Sequence, residues 1–304
     1  MLATHENEEL KRLKEAAETK GHEACVLKVQ KFSLSIYPDN PGIYYNGKSV
    51  ENDFDIIIPR IDIPHTNFGY EVLRQFQAIG TYVTDTAHSL ELARNKIRCF
   101  QYLTKRNVPF PKTGSAFAAE GYEKILNTIG SEPFIIKLNE GTQGVGVFLA
   151  QDQSQAENFL NTFQQLDTEV MLQEFIEEAA GTDLRCFVVG GEVVASMRRE
   201  SQSDDFRANV SLGGHAYQVD LSEDEHDVAL NAAAALNLNI GGVDIVRSKR
   251  GPLVIEINGA PDFTGEWGLE NVSGVDVAMA IIDYALDGKS RYDKGEGIWL
   301  DSWK

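Results

Sequence analysis

Residues 241–262 read GGVDIVRSKRGPLVIEINGAPD. Two apolar runs, 243–246 and 253–257, flank a Lys-Arg-Gly-Pro break, the pattern of an antiparallel β-hairpin. Glu256 and Asn258 stand two apart and so share one face of a strand. With the turn centred near Arg250, Asp244 lies across from Glu256. Facing carboxylates repel, and inside Val/Ile-rich strands an unpaired charge is costly. A divalent cation removes the conflict. Two carboxylates plus an amide carbonyl make a hard, all-oxygen set that suits Mg²⁺ carrying substrate phosphates. A lone acid at a hairpin end reads as solvated surface, but this embedded trio reads as a metal site.

Composition narrows the classes. The chain has 304 residues, is 42% hydrophobic and 24% charged, and carries 46 acids against 28 bases for a net charge of −18. Such a surface repels nucleic acid and anionic membranes, and no basic run is long enough to form a groove against that field. No apolar run nears the ~20 residues of a membrane-crossing helix. The first residues, MLATHENEELKRLKE, do not have the pattern of a signal peptide. Cys25, Cys99 and Cys186 are scattered, which fits a reduced cytoplasm and small buried side chains better than disulfides.

Along the chain, strands alternate with helices over residues 1–90, as in a small doubly wound unit. A helix is predicted over 7–20, with Leu10, Leu13, Ala16 and Ala17 on one side. Strands are expected at 24–29 and 55–59, then a helix at 68–79. Only residues 2–4 are left for a first strand, which is therefore very short or begins upstream. Residues 91–175 open with a basic helix at 92–106, followed by strands at 133–138, 147–150 and 170–175 and a helix at 154–164. Residues 176–287 add strands at 184–189 and 192–197, a polar loop at 201–214, an Ala-rich helix at 223–236, the hairpin, and a last helix at 275–286. A tail, 288–304, reads as frayed or as a partner contact.

Between two of these strands lies Lys137-Leu-Asn-Glu-Gly141-Thr142-Gln143-Gly144-Val-Gly146. Three glycines let a backbone approach a ligand and aim N–H groups at phosphate. The loop is neither a P-loop nor a dinucleotide fingerprint, because a strand follows it. Alone it would be a plain hairpin turn. Lys137, ending an apolar strand, asks for an anion and favours a phosphate flap. Lys96 is a second candidate lysine that by itself reads as a solvated helix face. Residues 173–177 (QEFIE) end a strand along which an adenine could hydrogen-bond. Arg207, in DFRAN, could hold a planar anion bidentately, though without context it is a surface arginine.

The order of these pieces resembles the ATP-grasp superfamily, and more closely the RimK-type glutamate ligases. The resemblance spans roughly residues 6–287 and is carried by ARNK (93–96), IIKLNEGTQGVGV (135–147), QEFI (173–176), GTDLRC (181–186), DFRAN (205–209), GGVDI (241–245) and GPLVIEIN (251–258). PRID (59–62) and LRQF (73–76) resemble the N-terminal part of that family. It implies an α/β (α+β ATP-grasp) fold: a doubly wound pre-ATP-grasp domain, then two ATP-grasp subdomains clasping the nucleotide. It also implies the site. Lys96 and Lys137 contact ATP phosphates, Glu174, Phe175, Ile176 and Glu177 line the adenine, and Asp183 lies at the nucleotide. Arg207, Ala208 and Asn209 hold phosphates, with Arg207 catalytic. Gly141, Thr142, Gln143, Gly144 and Gly146 form the flap. Asp244, Glu256 and Asn258 bind two Mg²⁺ or Mn²⁺.

The implied reaction is ATP-dependent carboxylate–amine ligation through an acyl phosphate. It adds L-glutamate to an acidic protein C-terminus, as in small-subunit ribosomal protein modification, or to a peptide. The alternatives are a free poly-α-glutamate, small-molecule or coenzyme glutamate ligase, a lysine-biosynthesis carrier ligase, and a non-catalytic nucleotide-binding regulatory module. A homo-oligomer without nucleic-acid or membrane partners is expected. Arg60, Arg198, Arg199 and Arg207 are expected near the cleft to suit an acidic acceptor, and Arg198, Arg199 and Arg207 to reach a dicarboxylate donor. The chain departs from the family pattern after Asn258, where Asp262, Glu266 and Trp267 enter. Two acids there suit a cationic substrate. Glutamate is favoured because the arginines sit in segments that match the family, and this segment is expected to fold away from the cleft.

Overall fold

The computed structural model describes residues 1–38, 41–116, 119–130, 132–139, 146–202, 206–208 and 213–296. The first strand is very short, Leu2–Ala3, yet it sits between Leu27–Lys28 and Pro59–Arg60 and pairs in parallel with both. A second parallel pair joins Ile56–Ile57 to Tyr82–Val83. Helix Glu8–Thr19 connects the first two strands, capped by Asn7, whose side chain accepts a hydrogen bond from the Leu10 amide at 2.9 Å. Its buried face is Leu10, Leu13, Ala16 and Ala17, as its spacing requires. Thr66–Ala78 is the second crossover helix. A small antiparallel meander, Phe32–Ser35, Gly42–Tyr45 and Lys48–Ser49, interrupts the unit. Its short strands left no alternation long enough to read.

The expected basic helix over 92–106 is two helices, Ala87–Arg94 and Lys96–Lys105. Asn95 breaks it. Its backbone is extended (φ −86°, ψ 104°) and its side-chain oxygen accepts from the Arg98 amide at 2.9 Å, so it ends one helix and caps the next. Lys96 thereby becomes the first residue of a helix.

Two antiparallel sheets follow. The smaller has the order Val147–Ala150, Phe134–Leu138, Val170–Glu174, Thr113–Gly114. Alternation sends Phe134, Ile136 and Leu172 into a core with Leu160 and Leu126, under helices Ala119–Ile129 and Gln153–Gln165. Ile135 and Lys137 are left on the opposite face. The larger sheet has the order His215–Gln218, Glu192–Glu200, Thr182–Val189, Ile240–Ser248, Gly251–Asn258. Cys186, Val188, Val243 and Ile245 pack on one side with Ala229 and Ala232 of helix Glu223–Ala235. Phe187 and Val189 pack on the other with Ile281 and Ile282 of helix Val277–Asp293. That helix runs past its expected end at 286 into the segment read as a frayed tail.

The N-terminal unit and the large sheet share both of those cores. Leu2, Val29 and Leu73 join the first, and Leu10, Leu13 and Ile58 join the second. Helices Ala87–Arg94 and Lys96–Lys105 also pack into the first, through Leu90, Cys99, Phe100 and Leu103. Among the described residues no helix is long and apolar enough to cross a membrane.

Asp85 fastens this junction. It is buried, and its Oδ1 accepts from the backbone amides of Asn239 at 2.7 Å and Ile240 at 3.2 Å. Burial pushes its carboxyl up to about 7, against the pull of those two donors. The native state therefore holds a proton between about pH 4 and 7 that the unfolded chain releases, and this group's contribution to stability falls as pH rises through that window. We expect Asp85→Asn, which keeps the acceptor oxygen, to remove a slope of up to about 1.4 kcal/mol per pH unit. Urea unfolding of both proteins from pH 4 to 8 measures it, and parallel curves would disprove the assignment.

Candidate functional site

The two sheets face one another across a cavity. From the small sheet, Ile135 and Lys137 line it because the strand alternates. Lys137 donates to Gln173 Oε1 at 2.8 Å and to the Ile255 carbonyl at 3.2 Å. Burial pulls the Lys137 ammonium down to about 8, against the attraction of Glu256. Lys96 is buried too, its Nζ 3.2 Å from Glu256. It is therefore no solvated helix residue. The helix break at Asn95 turns it inward.

The hairpin explains why Glu256 is where it is. Its turn is Lys249-Arg250, with Ser248 opposite Gly251 and Ile245 opposite Val254. Continuing that register would set Asp244 against Ile255. A bulge between Asp244 and Ile245 skips one residue, so Asp244 faces Glu256. The residue passed over is Ile255, whose carbonyl accepts from Lys137.

Asp244 is buried, and its charge is met by arginines. Arg185 grips it bidentately at 2.6 and 2.7 Å, and Arg199 adds a bond of 2.8 Å. Arg199 also grips Asp183 bidentately, at 2.7 Å for both bonds. Asp183 and Arg185 share a strand face by period two, while Arg199 lies opposite Asp183 and Asp244 opposite Arg185. Burial raises Asp183, only partly offset by Arg199. Burial also pushes Asp244 upward, but Arg185 and Arg199 outweigh it and hold Asp244 below the usual carboxylate range. Asp183 came from resemblance alone. Arg185 was not singled out at all, although its spacing from Asp183 places it on the same face.

The rest of the cavity is mainly apolar, with a few polar side chains. Ile176 and Val246 line it, and Phe175 meets Phe206 edge to face at 6.3 Å. Arg207, its guanidinium carbon 5.6 Å from the Phe206 ring centre, and Ala208 also line it, as does Gly146. Glu174 lines the wall too, but its carboxylate is held by Arg250 at 2.6 Å and the Lys112 amide at 3.1 Å. Glu177 is exposed and lines no described part of the cavity, because the chain leaves the sheet there in a short 3₁₀ turn, Glu177–Ala179. Gly141, Thr142, Gln143, Gly144 and Asn209 lie outside the described residues.

A second, larger cleft meets the first at Lys96, Arg199 and Glu256. Asn258 lines this one, its amide nitrogen buried without a hydrogen-bond partner. Asp262, Glu266 and Trp267 line it as well, so the segment expected to fold away does not. Trp267 stacks on His215 at 4.4 Å between ring centres, and Asp262 accepts from the Thr264 amide and hydroxyl at 2.9 and 2.8 Å. The expected arginines divide. Arg60 is buried, its Nη2 held by Glu9 and the Pro261 carbonyl while its Nε and Nη1 find no hydrogen-bond partner among the described residues. Arg198 points away from Arg199 by strand alternation, bonding Glu200 at 2.9 Å with its guanidinium carbon 5.3 Å from the Tyr217 ring centre.

Among the described residues no three acids, histidines or cysteines gather as a metal cluster. A cation here would need Asn258 as third donor beside Asp244 and Glu256. The set is still all oxygen, and the orphaned Asn258 amide is consistent with a carboxamide placed to present its carbonyl oxygen to a cation. The residues present fit a hard divalent ion.

Comparison with known proteins agrees with this architecture. The model of the RimK PreATP-grasp domain matches residues 1–90, and that of the RimK-like ATP-grasp domain matches 93–285. A probable alpha-L-glutamate ligase of Coxiella burnetii (strain RSA 493 / Nine Mile phase I) is 41% identical over 273 residues, covering 90% of this chain and 89% of that one. Another, of Nitrosococcus oceani, is 40% identical over 291 residues, covering 94% and 95%. Among solved structures, a RimK domain ATP-grasp protein of Sphaerobacter thermophilus superposes with a TM-score of 0.70 at 23% identity over 94% of this chain and 99% of that one. The ATP-grasp ligase PsnB, solved with its minimal precursor, Mg and ADP, gives 0.72 at 17% identity over 95% and 97%. This chain belongs to the RimK-like ATP-grasp family and is an ATP-dependent ligase.

Proposed function

We propose that this ligase adds L-glutamate to a carboxylate of an acidic peptide or protein tail. The observation that carries the reading is the meeting of two clefts at Lys96, Arg199 and Glu256. One has the lining for a nucleotide, apolar around Ile176 and Phe206 and charged around Lys96 and Lys137. The other is larger and carries charges of both signs, as a substrate bearing an ammonium and two carboxylates requires. The names of the relatives support glutamate, and the peptide complexes among the structural neighbours support a peptide acceptor. Free thiols at Cys25, Cys99 and Cys186 support a cytoplasmic setting.

In this reading the acceptor carboxylate oxygen attacks the γ-phosphorus and ADP leaves. The donor nitrogen then attacks the acyl carbon, phosphate departs, and the nitrogen loses its proton to give the amide. Lys96, Lys137 and Arg207 hold phosphate oxygens and meet the charge that develops on them. Asp183 acts by fixing Arg199. Ile135, Phe175, Ile176 and Phe206 exclude water around the base, and backbone groups at Glu174 and Ile176 orient it. Asp244, Glu256 and Asn258 would hold Mg²⁺, which when bound neutralises phosphate charge.

The charge network separates two variants. Glu256 touches Lys96 and is partly exposed, whereas Asp244 also balances the half-buried Arg185 and the buried Arg199. Glu256→Gln should therefore lower phosphate release by about 10²-fold or more with ATP, Mg²⁺ and substrates, while the thermal midpoint stays near wild type. Full activity at saturating Mg²⁺ would remove Glu256 from the site. Arg199→Met leaves Asp183 and Asp244 underbalanced and should cost about 3–5 kcal/mol in urea unfolding. A change within 1 kcal/mol would show that the network is not structural.

A further inference from the structure

The second cleft is lined by five arginine or lysine side chains among the described residues: Arg60, Arg94, Lys96, Arg185 and Arg199. Four of them are committed to the protein's own acids. Arg60 pairs with Glu9, Lys96 with Glu256, Arg185 with Asp244, and Arg199 with Asp183 and Asp244. Arg94 is the remaining one, half-buried, and no described residue supplies it with an ion pair or hydrogen bond.

Its placement is set by packing on both sides. Arg94 ends helix Ala87–Arg94, and the next residue caps the helix that carries Lys96. One turn back, Leu90 and Ala93 lie against Gly259. A Cβ on Gly259 would come within 2.8 Å of Leu90 and 3.6 Å of Ala93. The glycine lets this helix close onto the backbone directly after Asn258. Arg94 thus stands on a rigid turn beside the Glu256–Asn258 strand end, facing the cleft that the reacting groups must enter.

We propose that Arg94 is the anchor for a spectator carboxylate, one that a substrate carries but does not react. This rests on the reading of the second cleft as the substrate cleft. A guanidinium is always charged and matches a carboxylate with two parallel bonds. A half-buried position strengthens such a pair while leaving it reachable. Both substrates of the proposed reaction offer the chemistry. Glutamate keeps its carboxylates when its nitrogen reacts, and an acidic tail keeps those of its neighbouring residues. A contact to a group outside the reaction is made equally in the ground and transition states, so it lowers KM without raising kcat. The competing explanation is purely structural. An arginine in the last turn complements the helix dipole and contributes to stability alone.

The test compares wild type with Arg94→Gln and Arg94→Lys. Phosphate release is followed with ATP and Mg²⁺ while L-glutamate is varied at fixed acidic peptide, then the peptide at fixed L-glutamate. We expect Arg94→Gln to raise one of the two KM values by about 10- to 100-fold, the worth of a hydrogen-bonded charge. Its kcat, its melting midpoint and its direct affinity for a non-hydrolysable ATP analogue should stay near wild type. Arg94→Lys should recover part of the loss. A rise for L-glutamate places the anchor on the donor, and a rise for the peptide places it on the acceptor. Unchanged KM values, or a loss confined to kcat or melting, overturn the proposal. If wild type releases no phosphate with any such pair, the functional reading fails separately. Calorimetric binding of glutarate, L-glutamate and the peptide to wild type and Arg94→Gln then decides the anchor: weaker binding to the variant supports it, and equal or absent binding overturns it.

Discussion

Two aspartates and two arginines on one face of the large sheet hold this site together. Asp183, Arg185, Arg199 and Asp244 come from three adjacent strands, and their charges sum to zero. None could be buried alone, since each ion carries a desolvation penalty of several kcal/mol. Together they fix the ends of both clefts, because Asp244 faces Glu256, Glu256 meets Lys96, and Arg199 borders both cavities. The placement of the acids and lysines that would meet phosphate and cation follows from a charge-balanced core and not from flexible loops.

This balance also alters what the hairpin acids mean. Viewed as two carboxylates face to face, Asp244 and Glu256 demand a cation. In the folded chain Arg185, Arg199 and Lys96 already supply positive charge. A divalent ion would therefore join an existing arrangement of opposite charges, and Lys96 and Lys137 would gain phosphate partners as it does so. Lys137 is kept deep enough that burial weakens its hold on a proton, and an arriving anion reverses that.

The legible part of the sequence was what depended on local pattern. Lys137 stands out as the charge ending an otherwise apolar strand, Phe134–Leu138, and helical spacing gives the buried face of Glu8–Thr19. Features set by a single residue were not legible. Asn95 splitting one helix into two, a bulge that passes over Ile255, and the exit of the chain at Glu177 are each local choices that tertiary packing decides. The hairpin shows how such errors can cancel. A turn centred on Arg250 pairs Asp244 with Glu256, and the actual turn does so only through the bulge. Arg198 and Arg199, adjacent in sequence, had to part company once both lay on a strand, and only one of them reaches a cleft.

The small sheet keeps a core of its own, whereas the N-terminal unit and the large sheet are fused through two. The cavity is thus bounded on one side by a separately packed layer and on the other by the bulk of the molecule. Tilting that layer outward would break polar links across the gap, such as Lys137 to the Ile255 carbonyl and Arg250 to Glu174, and would withdraw Met171 from the first shared core while leaving the small sheet's own core whole. The molecule is built as a jaw on a fixed skull. Opening parts polar bonds that water can replace, and of the small sheet's own strands Met171 is the side chain that would leave a shared apolar core.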